Sequence, residues 1–116
     1  MARKTTGGKY KKVKKKKLTG RQKESRVPKL GERKIKLMRG RGGNEKLTLF
    51  QENIVNLNAE GKTQKTTIKN VIETPSNIFL ARQNILVKGA IIETELGKAR
   101  ITNRPSQEGN VQAILI

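Results

Sequence analysis

Two arginines separated by a single glycine are the residues of this sequence best suited to binding a charged partner. They belong to the stretch Arg39-Gly40-Arg41-Gly42-Gly43-Asn44. An arginine offers five N–H donors in a planar fork that matches the oxygens of a phosphate group. Glycine has no side chain, so Gly40, Gly42 and Gly43 let a phosphate backbone come close. The stretch is therefore a candidate phosphate-binding loop.

The same stretch also has the composition of a tight turn. Residues 34–37 and 46–49, on either side of it, alternate apolar and polar side chains as half-buried strands do. Gly43-Asn44 tolerates the positive φ that a hairpin turn requires. The sequence therefore predicts a β-hairpin here. The two interpretations are compatible, because the end of a hairpin presents its arginines to a partner.

Side chains that support catalysis or metal binding are scarce. The chain has no Cys, no His and no Asp, so all nine acidic residues are Glu, and no two of them form a recognisable acid/base or metal pattern. Thiol nucleophiles, imidazole bases and the usual zinc ligands are thereby excluded. We expect no enzymatic activity, no metal, no cofactor and no small-molecule substrate.

The positive charge is concentrated in the first part of the chain. Residues 1–46 contain 19 Lys and Arg against 3 Glu, a net charge of +16, whereas residues 47–116 contain 8 against 6, a net charge of +2. This asymmetry indicates a polyanionic partner for the first part and an ordinary folded body for the second. We predict a basic RNA-binding extension at residues 1–30, hereafter the arm, which is disordered when free, and a compact domain at residues 31–116.

Other interpretations of the arm remain open. Residues 1–30 show no apolar period of 2 or 3.6, so a permanently solvated tail and a segment that becomes ordered along RNA fit the composition equally well. The lysine run at 14–17 also fits a nuclear address, a pattern that any lysine-rich segment satisfies.

Strand patterns separated by turn signals recur through the body. They cover residues 34–37, 46–49, 55–57, 65–72, 90–95, 98–103 and 111–116. We expect Ile92, Thr94 and Leu96 to share one buried face, the apolar carboxyl end to be buried, residues 104–110 to form a turn-rich loop, and residues 78–84 to form a short helix begun near Ser76. The predicted fold class is all-β, a small antiparallel, barrel-like domain with an extended basic N-terminal arm.

Aromatic residues are few in this sequence, and so are long apolar stretches. The chain has one Tyr, two Phe and no Trp, so it lacks the platform on which many RNA-binding modules stack bases, and we expect recognition of backbone and shape.

The first residues have no apolar core typical of a signal peptide, and no stretch approaches the roughly 20 apolar residues of a membrane span. The sequence predicts a cytoplasmic, soluble protein with no membrane partner.

Several long runs resemble one ribosomal protein family. The first is Arg39-Gly40-Arg41-Gly42-Gly43-Asn44-Glu45-Lys46, the second begins Asn84-Ile85-Leu86-Val87-Lys88-Gly89 and ends Thr102-Asn103-Arg104-Pro105, and the third is Val111-Gln112-Ala113-Ile114-Leu115-Ile116. Together they resemble the archaeal and eukaryotic type of small-subunit ribosomal protein eight, and the short chain is similar to the archaeal form. Thr6-Gly7-Gly8 within a basic leader is similar to the family's start.

This resemblance implies a function. The family has a barrel-like body and a basic extension bound to small-subunit ribosomal RNA, so the resemblance implies a structural constituent of the small subunit that supports its assembly and translation. The implied partners are ribosomal RNA and neighbouring ribosomal proteins, in a cytoplasmic ribonucleoprotein. The alternative is a non-ribosomal basic protein that packages nucleic acid, and an enzyme acting on RNA is the third class considered.

We predict that RNA is contacted by basic side chains and by glycines that allow close approach. The predicted RNA-binding residues are Arg3, Lys4, Gly7, Gly8, Lys9, Lys11, Lys12, Lys14, Lys15, Lys16, Lys17 and Arg21 in the arm, Arg39, Arg41, Gly42, Gly43, Asn44 and Lys46 at the hairpin, and Lys88 and Arg104 in later loops.

Overall fold

A computed structural model describes residues 2–116, which form eight strands and two one-turn α-helices. In chain order these elements are β1 (Lys29–Leu30), β2 (Lys34–Arg39), β3 (Glu45–Glu52), β4 (Ile54–Ala59), β5 (Lys62–Glu73), α1 (Ile78–Arg82), β6 (Ile91–Thr94), β7 (Gly97–Ile101), α2 (Pro105–Glu108) and β8 (Gln112–Leu115).

Five strands close into a barrel in the order β4-β5-β6-β7-β8. Consecutive strands pair antiparallel, and the parallel pair of β4 with β8 closes the ring, with Leu57 opposite Ala113. Closure leaves the barrel without a free sheet edge. Inward-facing apolar residues of the barrel strands form the core together with Leu49 of β3 and residues of the connecting segments. The core comprises Leu49, Val55, Leu57, Ile68, Val71, Leu86, Ala90, Ile92, Ala99, Ile101, Val111 and Ala113. The predicted all-β, barrel-like fold is confirmed.

The three remaining strands form a separate small sheet in the order β1-β3-β2. β2 pairs antiparallel with β3, and β1 pairs parallel with the end of β3 through Lys29 opposite Gln51. On its other side β1 bonds to the backbone between α1 and β6, since Leu86 N–H donates to the Pro28 carbonyl (2.8 Å) and Leu30 N–H donates to the Asn84 carbonyl (3.0 Å). The paired backbone thus begins inside the range that the sequence assigns to the arm.

An ion pair with a buried carboxylate lies where the small sheet meets the barrel. Only Asn53 separates β3 from β4, and the Glu52 side chain before it is 2% exposed. One carboxylate oxygen accepts from the Arg33 guanidinium, and the other accepts from the N–H groups of Asn53 (3.1 Å) and Ile54 (3.2 Å). A second Arg33 nitrogen donates to the Gly109 carbonyl at 3.3 Å. The pair therefore connects β3, β4 and the end of α2.

Gly109 allows α2 to approach the small sheet. Its φ is 77°, in the left-handed region, and a Cβ there would lie 3.0 Å from the Leu47 Cβ. A larger residue at this position would be strained in its backbone and would also meet β3. The glycine is therefore needed for α2 to pack on β3.

The three predicted hairpins are present as β2/β3, β4/β5 and β6/β7. The turn residues of the first differ from the prediction. Positive φ occurs at Gly42 (72°) and Gly43 (77°), whereas Asn44 is extended at φ −67° and ψ 141°. The turn is thus formed one residue earlier than Gly43-Asn44, because two consecutive glycines supply both left-handed positions.

Three local expectations are corrected in the carboxyl-terminal half. Leu96 lies in the β6/β7 turn and is 51% exposed, so it does not share the buried face of Ile92 and Thr94. Ile116 is 67% exposed, because β8 ends one residue earlier, so the chain end is not buried. The predicted loop at 104–110 contains the helical turn α2.

The predicted short helix at 78–84 is confirmed as α1, but a different residue caps it. The side chain of Asn77, rather than that of Ser76, accepts the Phe79 N–H at 3.0 Å. Asparagine satisfies a free N–H of the first helical turn in this way. None of the helices among residues 2–116 is long and apolar enough to cross a bilayer.

The arm makes the molecule much longer than its body. The radius of gyration is 20.9 Å and the largest extent is 69 Å, whereas a compact chain of this length has a radius of roughly 13 Å. Regular structure in residues 2–27 is local. Lys4 N–H donates to the Gly8 carbonyl (2.8 Å) in a terminal turn, and Leu18–Gly20 forms one 3₁₀ turn.

Deletion series test where the body begins. Removal of residues 1–22 should leave a cooperative thermal transition, because those residues contribute no strand of either sheet. Removal of residues 1–30 also deletes β1 with its backbone hydrogen bonds. We expect this to cost about 2 kcal/mol, or roughly 8–16 °C in Tm. Calorimetry of both proteins measures the difference, and equal midpoints would place the boundary at residue 30.

Substitutions at the ion pair test whether loss of Arg33 is more destabilising than loss of the Glu52 charge. Arg33→Met should cost about 2–4 kcal/mol, because the buried Glu52 carboxylate cannot reach water when its partner is removed. Glu52→Gln should cost less, since the Arg33 side chain is 49% exposed and can turn to solvent. Urea denaturation measures both, with Lys36→Met, an exposed β2 cation, as the matched control. Equal losses for Arg33→Met and Lys36→Met would contradict a role for the pair.

Candidate nucleic-acid interface

The loop of the first hairpin, residues 39–44, is held by its own backbone and by one side chain. Gly40 N–H donates to the Asn44 carbonyl at 2.5 Å, and Asn44 Nδ2 donates to the Arg41 carbonyl at 3.2 Å. Arg39 and Arg41 are both exposed. Because the loop is closed without them, their guanidinium groups are available to a partner. Asn44, which is predicted to bind RNA, thus also stabilises the turn, because its side-chain amide donates to the Arg41 carbonyl.

A second group of cations comes from the end of the arm. Residues 23–27, hereafter the docking segment, approach β3 at Thr48, which is 1% exposed. Arg26 Nη1 donates to Thr48 Oγ1 at 3.2 Å. The sequence pattern did not single out Lys23 or Arg26. Their only local signal is membership of a basic stretch, and their position depends on the pairing of β1, which lies two residues further on.

The docking segment and the hairpin loop enclose a cavity of about 460 Å³, hereafter the cationic cavity. Its lining residues are Lys23, Arg26, Met38, Arg39, Gly40, Arg41, Asn44 and Lys46. Five of them are cations and none is an acid. The structure thus brings together four of the predicted residues with two cations that were not predicted. The four are Arg39, Arg41, Asn44 and Lys46, and the two cations are Lys23 and Arg26.

The cations of the cationic cavity have no carboxylate partner. Among residues 2–116 the one ion pair is that of Arg33 with Glu52. Glu45 lies opposite Arg39 in the β2/β3 register, but it does not line the cavity. Uncompensated positive charge in a concave site raises the local concentration of anions. Several acceptor oxygens on one anion would satisfy this set of donors, and phosphate groups provide them.

The other predicted contacts lie along the arm and in two later loops. The arm residues Arg3, Lys4, Gly7, Gly8, Lys9, Lys11, Lys12, Lys14, Lys15, Lys16, Lys17 and Arg21 are all exposed. Lys88 is exposed in the turn that precedes β6, where Gly89 N–H donates to the Ile101 carbonyl. Arg104 is exposed at the start of α2, which packs on β3. These positions are accessible to a large anionic partner from several sides.

Arginines on a hairpin and a basic arm are compatible with both a ribosomal protein and a nucleic-acid packager. Similarity over the whole chain decides between these classes, because residues 1–116 match the profile of the family described as Ribosomal protein S8e. The chain belongs to this ribosomal protein family. The resemblance inferred from the sequence is therefore confirmed, and the family is one of structural proteins rather than enzymes.

Archaeal members of the family are similar over nearly the full length. The small ribosomal subunit protein eS8 of Methanococcus aeolicus is 48% identical over 118 residues, which cover 98% of this chain and 91% of that protein. The protein of the same name from Nanoarchaeum equitans is 48% identical over 80% of this chain and 75% of its own length. That of Haloarcula marismortui is 40% identical, with 98% and 93% covered. The chain is thus of the archaeal type.

Substitution of the two loop arginines tests their role. Arg39→Ala with Arg41→Ala should leave the Tm within a few degrees of the parent protein, because both side chains are exposed and outside the core. Affinity for small-subunit RNA should fall roughly tenfold or more, since each lost charge-assisted contact is worth about 1.5–3 kcal/mol. Filter binding and calorimetry measure the two effects, and Lys98→Ala with Arg100→Ala on the barrel is the control. Unfolding of the double variant would show that an arginine has a structural partner.

Proposed function

We propose that this S8e-family chain is a structural constituent of the small ribosomal subunit that binds ribosomal RNA through its arm and the basic loops of its β domain. The observation that carries this proposal is the convergence of five unpaired cations from the arm and the hairpin on the cationic cavity. Relatives covering nearly the whole chain carry the name small ribosomal subunit protein, which supports the choice of RNA as the polyanion.

The proposed mechanism is neutralisation of phosphates. Folded RNA brings backbone segments close together, and cations placed between them relieve the repulsion. An arm with 13 cationic side chains in 30 residues repels itself when free, so it extends and becomes compact only where phosphates surround it. The barrel supplies a rigid body from which the arm and the loops are directed. In this way the protein supports subunit assembly and, through it, translation.

Recognition is proposed to rest on backbone and shape. The three aromatic residues lie far apart in the chain, Tyr10 in the arm, Phe50 in β3 and Phe79 in α1, so they form no continuous stacking surface along one element. Lys88 and Arg104 extend the proposed contact to loops of the body. The proposed partners are small-subunit ribosomal RNA and neighbouring ribosomal proteins in the cytoplasm.

Packaging of nucleic acid is the second candidate, and the arm is the feature that favours it. Sedimentation of cell extracts distinguishes the two functions. The protein should follow the small subunit through a sucrose gradient after a high-salt wash. Sedimentation with DNA instead would favour the packager and overturn the ribosomal assignment.

The salt dependence of RNA binding tests how the affinity is divided along the chain. Each neutralised phosphate adds roughly 0.7–0.9 to the magnitude of the log–log slope. Replacement of the four lysines at 14–17 by Gln should therefore lower the slope by up to about 3 and weaken binding to small-subunit RNA and to scrambled RNA alike. Arg39→Ala with Arg41→Ala should weaken the specific complex more. Titrations of both RNAs at several salt concentrations measure this, and an unchanged slope in the lysine variant would remove the arm from the interface.

A further inference from the structure

The cationic cavity lies between two parts of the chain that are distant in sequence, the docking segment and the hairpin loop. The docking segment contributes Lys23 and Arg26, and the hairpin loop with the start of β3 contributes Arg39, Arg41 and Lys46. Five positive charges around one space repel each other. An anion bound among them would relieve this repulsion.

One contact within the protein partly offsets this repulsion. Arg26 Nη1 donates to Thr48 Oγ1, and Thr48 in β3 is almost completely buried. A guanidinium has five N–H donors, and this bond uses one of them. The remaining donors belong to a side chain that lines the cavity. Arg26 is thus anchored by Thr48, while its other donors are exposed and available to an anion.

The carboxylates nearest in sequence do not neutralise the site. Glu24 lines a neighbouring cavity, together with Gln22, Lys23, Ser25 and Val27, and among residues 2–116 it forms no ion pair. Glu45 pairs with Arg39 in the strand register but does not line the cationic cavity. A volume of about 460 Å³ is many times the roughly 30 Å³ share of a water molecule, so the cavity has room for a phosphate with attached groups and bridging waters.

We propose that the cationic cavity binds one backbone phosphate of RNA, and that this phosphate fixes the docking segment on β3 and thereby sets the direction in which residues 2–22 leave the body. This inference rests on the proposed function and deepens it. A phosphate bridges Arg26 on the docking segment to Arg41 on the hairpin loop and converts repulsion between the two parts into attraction. The rest of the arm then follows the RNA from a defined starting point.

An anion bound at the cationic cavity should stabilise the folded protein even in the absence of RNA. An anion that binds the docked arrangement more tightly than the undocked or unfolded chain stabilises it by mass action. Inorganic pyrophosphate is a suitable probe, because it presents non-bridging phosphate oxygens, the kind of acceptor that the RNA backbone also presents. It should raise the Tm in a saturable manner. Amide signals should shift at residues 23–27 and 38–46, the two segments that contain the lining residues of the cavity.

The first experiment titrates the full-length protein with pyrophosphate at constant ionic strength, balanced with sodium chloride. Thermal shift and two-dimensional NMR are the readouts. Arg26→Gln and Arg41→Gln should each weaken pyrophosphate binding at least fivefold, whereas Lys98→Gln on the barrel should not change it. A shift that does not saturate, or that is equal in all variants, would mean general screening and would overturn the site. Equal shifts along residues 2–22 would mean diffuse binding to the arm, with the same consequence.

A second variant separates positioning from stability. Thr48→Val removes the acceptor of Arg26 while keeping the volume of a buried side chain, so the protein should remain folded. Pyrophosphate affinity should nevertheless fall several-fold, because Arg26 loses the contact that holds it at the cavity. Unchanged affinity in a folded Thr48→Val protein would contradict the anchoring role. A change in Tm alone, with affinity preserved, would identify Thr48 as merely structural.

Competition identifies the source of the phosphate. Saturating small-subunit RNA should displace pyrophosphate from residues 23–27 and 38–46, and pyrophosphate should weaken RNA binding by the parent protein more than by Arg41→Gln. Simultaneous binding of both would overturn the assignment to an RNA phosphate. If pyrophosphate fails to bind while RNA binding keeps its steep salt dependence, this inference fails and the proposed function stands. If the protein binds no small-subunit RNA at all, the proposed function itself fails.

Discussion

The buried carboxylate of Glu52 is the constraint on which the arrangement of the two sheets depends. It occupies the end of β3, one residue before the barrel begins, and is almost inaccessible to water. Burial of a charge is costly unless it is paired and hydrogen-bonded. Arg33 and the N–H groups of Asn53 and Ile54 satisfy both requirements. Because Arg33 also donates to Gly109, a change in the angle between sheet and barrel would break several bonds to one buried ion.

This joint gives the small sheet a fixed place on the barrel and so determines where the cations are presented. β3 carries the hairpin loop at one end and Glu52 at the other, while β1 pairs beside Glu52 and continues back into the docking segment. Arg26 therefore reaches Thr48 in the middle of β3. The geometry of the cationic cavity thus depends on the opposite end of β3. There the apolar core and the ion pair of Arg33 with Glu52 fix the small sheet against the barrel.

Stability and binding are assigned to different parts of the chain. The body after residue 46 is close to neutral and supplies most of the core, whereas the residues before it carry a net charge of +16 and are largely exposed. A polycation with no apolar pattern cannot fold by burial. The same property suits the proposed binding to phosphates, which would neutralise its charge. The hairpin loop is the place where the two parts meet, and the arm cations that dock there adopt a position set by the body.

The sequence by itself determined the features that depend on neighbours along the chain: the three hairpins, the all-β class, the short helix, the asymmetry of charge and the family. Alternation of side chains and turn chemistry are local, so they can be recognised without tertiary structure. Only the tertiary structure decided which strands form the barrel and which the small sheet, because the parallel pairs of β4 with β8 and of β1 with β3 join distant segments. The same reason explains why Lys23 and Arg26 were missed. Their approach to Arg41 follows from the pairing of β1 and from the burial of Glu52, and no local pattern encodes either.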